Sequence, residues 1–231
     1  MRTGLGGITW AIASVTVFAN SKPPALPGTY EGNLMGTRVG IVGDSVTCLS
    51  SQYLTADFSP HYAFQIRCKN GITITEGTQF ATGIDEGVAG APSVLIVNLG
   101  TNDAVRAMHD VGPQDDADIA AAEQNLNVLA WDVQHVPCVI WVTVSEVPDA
   151  LGSHVARAIN QWMASRAAAV PGNYVLDWWG LMETPANAAA YLSPYDGVHT
   201  TEAGQIELAN LYLSAVQQDC SSVLHPSTTT P

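Results

Sequence analysis

Ser45 ends the stretch Val39-Gly40-Ile41-Val42-Gly43-Asp44-Ser45, in which an apolar run stops at a glycine and delivers a hydroxyl. A serine hydroxyl is too weakly acidic to attack a carbonyl unaided. It needs an imidazole to take its proton, and the imidazole needs a carboxylate to fix its tautomer. Both stand far along the chain in Tyr195-Asp196-Gly197-Val198-His199-Thr200-Thr201, where Asp196 and His199 flank a glycine-containing turn. Gly100-Thr101-Asn102-Asp103 offers Asn102, a side-chain amide able to donate to an oxyanion. Asn70-Gly71-Ile72-Thr73 offers Gly71, whose backbone can approach a ligand closely and present an N–H. Each feature alone has a plainer reading: Asp44, Ser45 and Asn102 suit helix caps, and Gly71 suits a turn.

The elements that carry these residues give them a common place. Apolar runs at residues 39–42, 63–68, 93–99, 138–144 and 174–178 read as buried strands, being continuous rather than alternating. Helical stretches, clearest at residues 117–136, 154–169 and 201–218, take turns with them. That rhythm predicts a parallel five-stranded sheet in a three-layer α/β/α sandwich of flavodoxin-like order. Open sheets of this kind bind ligands beyond the carboxyl ends of their strands. Ser45, Gly71, Asn102 and the Asp196/His199 pair each follow a different expected strand, so all are expected at that edge. His61 and His135 precede their strands and belong to the opposite edge, while His109 and His154 rank below His199 as bases.

Acidic residues outnumber Lys plus Arg 21 to 8 in the 231-residue chain, which leaves no basic footprint for a nucleic acid. Arg2 followed by an apolar stretch from Ile8 to Ala19 predicts a secretory signal over residues 1–20, with Val17 and Ala19 suited to cleavage before Asn20. The stretch is too short for a comfortable membrane span, so no stable membrane insertion is expected after cleavage. Residues 21–36, rich in Pro and Gly, read as a linker, 37–220 as one catalytic domain and 221–231 as a flexible tail. Four cysteines in an exported chain suggest two disulfides. In right-handed βαβ units Cys48 and Cys68 fall at the carboxyl edge, Cys138 and Cys220 at the other, so Cys48–Cys68 and Cys138–Cys220 are the expected pairs.

The Gly43-Asp44-Ser45, Gly100-Thr101-Asn102-Asp103 and Asp196-Gly197-Val198-His199 blocks, in this order, resemble those of the SGNH hydrolases, also called the GDSL family. The resemblance spans roughly residues 37–219. It implies a serine esterase with Ser45 as nucleophile, His199 as base and then acid, and Asp196 orienting it. It further implies an oxyanion hole of the Ser45 N–H, the Gly71 N–H and the Asn102 side chain, with neither metal nor organic cofactor. Val46 stands where the family often has leucine, and the block around Gly71 is the loosest match.

A small-molecule, lipid or carbohydrate ester is the expected substrate, with a carbohydrate O-deacetylase of the same family as the nearest alternative. Phe80, Trp178, Trp179 and Tyr195 are candidates to line a substrate pocket, or else pack in the core or at its rim. Two rivals come from other classes. A metallophosphoesterase needs more ligands than the chain shows, since it has no Asp-x-His or His-x-His. A non-catalytic exported binding module would not need the full Ser, Asn and His set.

Overall fold

A computed structural model describes residues 30–85 and 90–225. Its strands are β1 (Glu31–Gly32), β2 (Arg38–Gly43), β3 (Ala63–Cys68), β4 (Val94–Asn98), β5 (Cys138–Val142) and β6 (Asn173–Leu176). They form one sheet in the order β1-β3-β2-β4-β5-β6. All pairings are parallel except β1 with β3, which is antiparallel. The five parallel strands are those expected, in flavodoxin-like order. The sheet nevertheless has six strands rather than five, because Glu31 and Gly32 pair with Phe64 and Ala63. The segment expected as linker thus joins the sheet near its end, and Tyr30 is buried.

The helices are α1 (Ser45–Phe58), α2 (Ile74–Asp85), α3 (Thr101–Ala107), α4 (Pro113–Asp132), α5 (Val155–Ala169), α6 (Trp178–Met182), α7 (Pro185–Tyr191), α8 (Glu202–Asp219) and α9 (Ser221–Leu224). Helix α4 begins earlier than its apolar pattern suggests, because Pro113 sits in its first turn, where a missing N–H costs nothing. Ser221–Leu224, expected as tail, is helical, and Val223 and Leu224 pack on the core. The expected signal segment, residues 21–29 of the linker and residues 226–231 of the tail lie outside the described residues.

Parallel strands buried on both faces need a helical layer on each. In β4, Leu95 and Val97 face a cluster that includes Ile84, Leu126, Leu129, Ile159 and Met163 from α2, α4 and α5. Val94 and Ile96 face the other way, onto Leu54 and Phe58 of α1 and Leu208, Tyr212 and Val216 of α8. Each fully buried chain of this size contributes roughly 1.5–3 kcal/mol relative to exposure. Both expected disulfides are present: Cys48–Cys68 ties α1 to the end of β3, and Cys138–Cys220 ties the start of β5 to the end of α8. Trp178 is buried in the core and Phe80 and Trp179 pack against it, whereas Tyr195 stands 96% exposed.

Candidate functional site

β2 ends at Gly43, and Asp44 caps α1 by accepting from the Val46 N–H with Oδ1 at 3.0 Å. The Asp44 N–H donates to Asn98 O at 3.2 Å, which fixes the turn to the end of β4. Ser45 is therefore the first residue of α1, where a backbone N–H has no acceptor within the helix and the helix dipole favours negative charge. Asp44 is fully buried, and desolvation raises its carboxyl to about 6 despite the Val46 N–H. As the N-cap of α1 it holds the turn that carries Ser45.

The Asp196/His199 turn lies in the connection between α7 and α8. Its ends are held by the Leu192–Thr200 bridge and by Ser193 N–H donating to His199 O at 2.7 Å. Gly197 takes φ +66°, a left-handed conformation suited to glycine, and Val147 packs against it. Ser145 Oγ donates to Gly197 O at 3.2 Å, so the segment after β5 braces the turn. Thr201 then caps α8 by accepting from the Gly204 N–H.

These supports bring three side chains into one line. Ser45 Oγ lies 3.0 Å from His199 Nε2, and His199 Nδ1 lies 2.9 Å from Asp196 Oδ2. Asp196 Oδ1 meanwhile accepts from the N–H groups of Val198 (2.9 Å) and His199 (3.0 Å). Partial burial alone would raise the Asp196 carboxyl. These two N–H groups and the imidazole outweigh it, and the carboxyl lies below its usual range. The arrangement suits proton transfer from Ser45 to Nε2 with the Nδ1 proton held on Asp196. Among the described residues, His199 is the histidine bonded to Ser45, while His154 is engaged by Asp115 at 2.8 Å.

Asn102 stands in the first turn of α3, and its Nδ2 donates to Ile72 O at 2.9 Å. An NH₂ group has two hydrogens, so one remains for a ligand. Gly71 has φ +76° and is exposed, with its carbonyl accepting from Arg106 Nη2 at 3.1 Å. Among the described residues no hydrogen bond joins Gly71 or Asn102 to Ser45 or His199; the direct contacts tie only Ser45, His199 and Asp196 together.

Sequence reasoning quotes Asp103 within its block but gives no role to it, to Arg106 or to Ser145. Asp103 Oδ2 accepts from the Ile74 N–H at 3.0 Å, and burial raises its carboxyl to about 6. The spacing of Asn102, Asp103 and Arg106 within one short helix is visible in the chain, but their acceptors and donors are main-chain groups with no signature. Among the described residues no three His, Cys, Asp or Glu side chains gather as a metal would require, and no helix is long and apolar enough to cross a membrane.

Comparison with known proteins agrees with this architecture. The C-terminal catalytic domain of peptidoglycan O-acetyltransferase A from Streptococcus pneumoniae superposes with a TM-score of 0.62 at 16% identity, covering 80% of this chain and 96% of that one. A GDSL-like lipase from Bacteroides thetaiotaomicron gives 0.57 at 20% identity over 79% and 88%. A family 3 carbohydrate esterase from Clostridium thermocellum gives 0.56 at 15% over 80% and 98%. No curated protein sequence matches the chain. A family model for the GDSL-like lipase/acylhydrolase family matches residues 41–205, which carry Ser45, Asn102, Asp196 and His199. With its parallel sheet and these blocks, the chain belongs to the GDSL-like lipase/acylhydrolase family.

Proposed function

We infer that the protein is an exported serine esterase that hydrolyses carboxylic esters through an acyl-enzyme. The observation that carries this is the unbroken relay from Ser45 Oγ to His199 (3.0 Å) and on to Asp196 (2.9 Å). Ser45 Oγ attacks the ester carbonyl while His199 Nε2 takes its proton, and Asp196 stabilises the imidazolium. The tetrahedral oxyanion meets the Ser45 N–H, the free N–H of Asn102 and the Gly71 N–H. Collapse expels the alcohol, which leaves with the proton from His199. Water then attacks the acyl-serine by the same route, with His199 again as base, and the acid is released.

The test is Ser45→Ala with ester hydrolysis and fluorophosphonate labelling read side by side. Loss of both, with the urea midpoint unchanged, supports the reading; a Ser45→Ala protein that still turns over removes it. Activity retained in EDTA separates it from a metallophosphoesterase. Export rests on two disulfides and the predicted signal, and N-terminal sequencing of protein from culture medium tests it, with a start at Asn20 expected.

One observation favours the narrower reading of a carbohydrate O-deacetylase. Tyr195, 96% exposed, immediately precedes Asp196 and offers a bare aromatic face at the rim of the site. Two of the structural neighbours are named as a carbohydrate esterase and a peptidoglycan O-acetyltransferase. In this reading Tyr195→Ala raises KM for an acetylated polysaccharide and leaves p-nitrophenyl acetate hydrolysis unaltered. An equal effect on both substrates counts against it.

A further inference from the structure

Helix α3 spans Thr101–Ala107, yet three of its side chains reach the backbone of a single loop, the one that leads from β3 into α2. Arg106 Nη2 donates to Gly71 O at 3.1 Å, Asn102 Nδ2 donates to Ile72 O at 2.9 Å, and Asp103 Oδ2 accepts from the Ile74 N–H at 3.0 Å. Between the last two, the Thr73 N–H is taken by Glu76 Oε2 at 3.1 Å, the capping-box bond that starts α2. Four consecutive residues of the loop are thus held by side chains. The Arg106 contact is exposed and correspondingly weak, whereas those of Asn102 and Asp103 are partly buried.

The geometry gives these contacts a task beyond holding the loop. The Asn102 amide is planar, so once one N–H is anchored on Ile72 O the direction of the other is set. Any shift of the Ile72 carbonyl passes directly to the N–H that is left for the oxyanion. A donor stabilises a developing charge only if it is aimed there before the reaction begins. Asp103 grips Ile74, two residues beyond Ile72, from the neighbouring position on the same helix. We propose that Asp103 is the positioning residue of the oxyanion site: by holding the Ile74 N–H it fixes the Ile72 carbonyl and, through it, the Asn102 amide. The proposal rests on the reading of Asn102 as an oxyanion donor.

The loop keeps its capping box when Asp103 is removed, and β3 and α2 keep their packing on the core, so the fold has independent support. What is lost is aim. Misplacing a catalytic group by about 1 Å can cost on the order of 10²-fold, so Asp103→Ala should lower kcat by about 10- to 10²-fold. KM should stay within about twofold, because a donor used only in the transition state leaves ground-state binding alone. Asp103→Asn retains an oxygen that can accept from Ile74 and should keep kcat within about threefold of the parent.

The deciding experiment is a double-mutant cycle on the full chain with p-nitrophenyl acetate, reading kcat and KM separately and urea midpoints alongside. With Asn102 already replaced by alanine, Asp103→Ala should cost less than about twofold, since the group it aims is gone. Should Asp103→Ala fail to fold, Asp103→Ser, whose hydroxyl is too short to reach Ile74, carries the same comparison. An equal kcat loss in both backgrounds overturns the inference, as does an Asp103→Asn variant as slow as Asp103→Ala, or a wild-type kcat in Asp103→Ala. If Asn102→Ala itself turns over at the wild-type rate, the oxyanion reading of Asn102 falls and this inference falls with it. If Asn102→Ala is slow and the losses multiply, this inference alone falls.

Discussion

Replacing Asp196 by asparagine exchanges one oxygen for an NH₂ and should cripple the reaction while leaving the turn in place. Asp196 Oδ1 accepts two backbone N–H groups, from Val198 and His199, and Oδ2 faces His199 Nδ1 at 2.9 Å. If the asparagine turned its NH₂ toward the backbone, two donors would face a donor, at a cost of two hydrogen bonds of about 1 kcal/mol each. The oxygen therefore stays on the backbone and the NH₂ points at Nδ1. It donates there, Nδ1 becomes the acceptor, and the ring proton moves to Nε2, which can no longer take the Ser45 proton. A preference of about 2 kcal/mol leaves about one molecule in thirty in the productive arrangement.

The lost charge adds to this. Side-chain exposures of 41% for His199 and 43% for Asp196 keep the ion pair in a water-like dielectric, so its loss is worth only about 1 kcal/mol, or about fivefold. Together kcat/KM should fall by about 10²-fold, less than the ~10⁴ known for a buried aspartate in this role. The assay is p-nitrophenyl acetate hydrolysis with the rate of fluorophosphonate labelling at Ser45 as a second readout and the urea midpoint as control. A variant within fivefold of the parent and equally stable would mean that Asp196 only shapes the turn.

Three further perturbations test the fold behind the site. Burial raises Asp44 and Asp103 to about 6 from an ordinary 3.8, so between about pH 4 and 6 the folded chain holds protons that the unfolded chain has released. These carboxyls therefore make the fold more stable at pH 5 than at pH 7, each by up to ~1.4 kcal/mol for every tenfold by which folding tightens its hold on the proton. The urea midpoint should rise over that interval, and should rise less in Asp44→Asn; a midpoint that falls from pH 7 to 5 contradicts the burial argument. Asp196 and Asp115, held below their usual range, act with the opposite sign and cost stability only as pH drops through about 4. Paired alanine replacements of Cys138 and Cys220, 82 residues apart, should lower unfolding free energy by roughly 1 kcal/mol more than replacing Cys48 and Cys68, 20 apart, if loop entropy governs. Equal losses in urea titrations would show that it does not. Gly204→Ala should cost about 1–3 kcal/mol, because the added methyl meets the Tyr191 carbonyl where α8 starts against α7; an unchanged thermal midpoint would show that this contact yields freely.

Which parts of the structure are legible in the sequence follows from where each residue finds its partners. The strand β4, Val94–Asn98, is buried on both faces, so Val94 to Val97 are all apolar and the run stands out, while the buried Asn98 at its end donates to Tyr212. β1 is a two-residue edge strand held by main-chain pairing of Glu31 and Gly32 with Phe64 and Ala63, too short to show a pattern, and composition there reads as linker. The same division runs through the site. Ser45, His199 and Asp196 bond to one another through side chains, so their kinds and order suggest the relay before any geometry is known. Gly71 stands out in the sequence because glycine signals accessible backbone, but its carbonyl is taken by Arg106 and among the described residues no hydrogen bond joins it to Ser45. Asp103 lies in the Gly100–Asp103 block, but its task is not legible there, because its partner is the N–H of Ile74, and any residue but proline could supply that N–H. A pattern of residue types records what side chains require of each other and is nearly silent on what they require of the main chain. Residues that aim a site through the backbone, as Asp103 is proposed to do, are therefore the ones that only coordinates reveal.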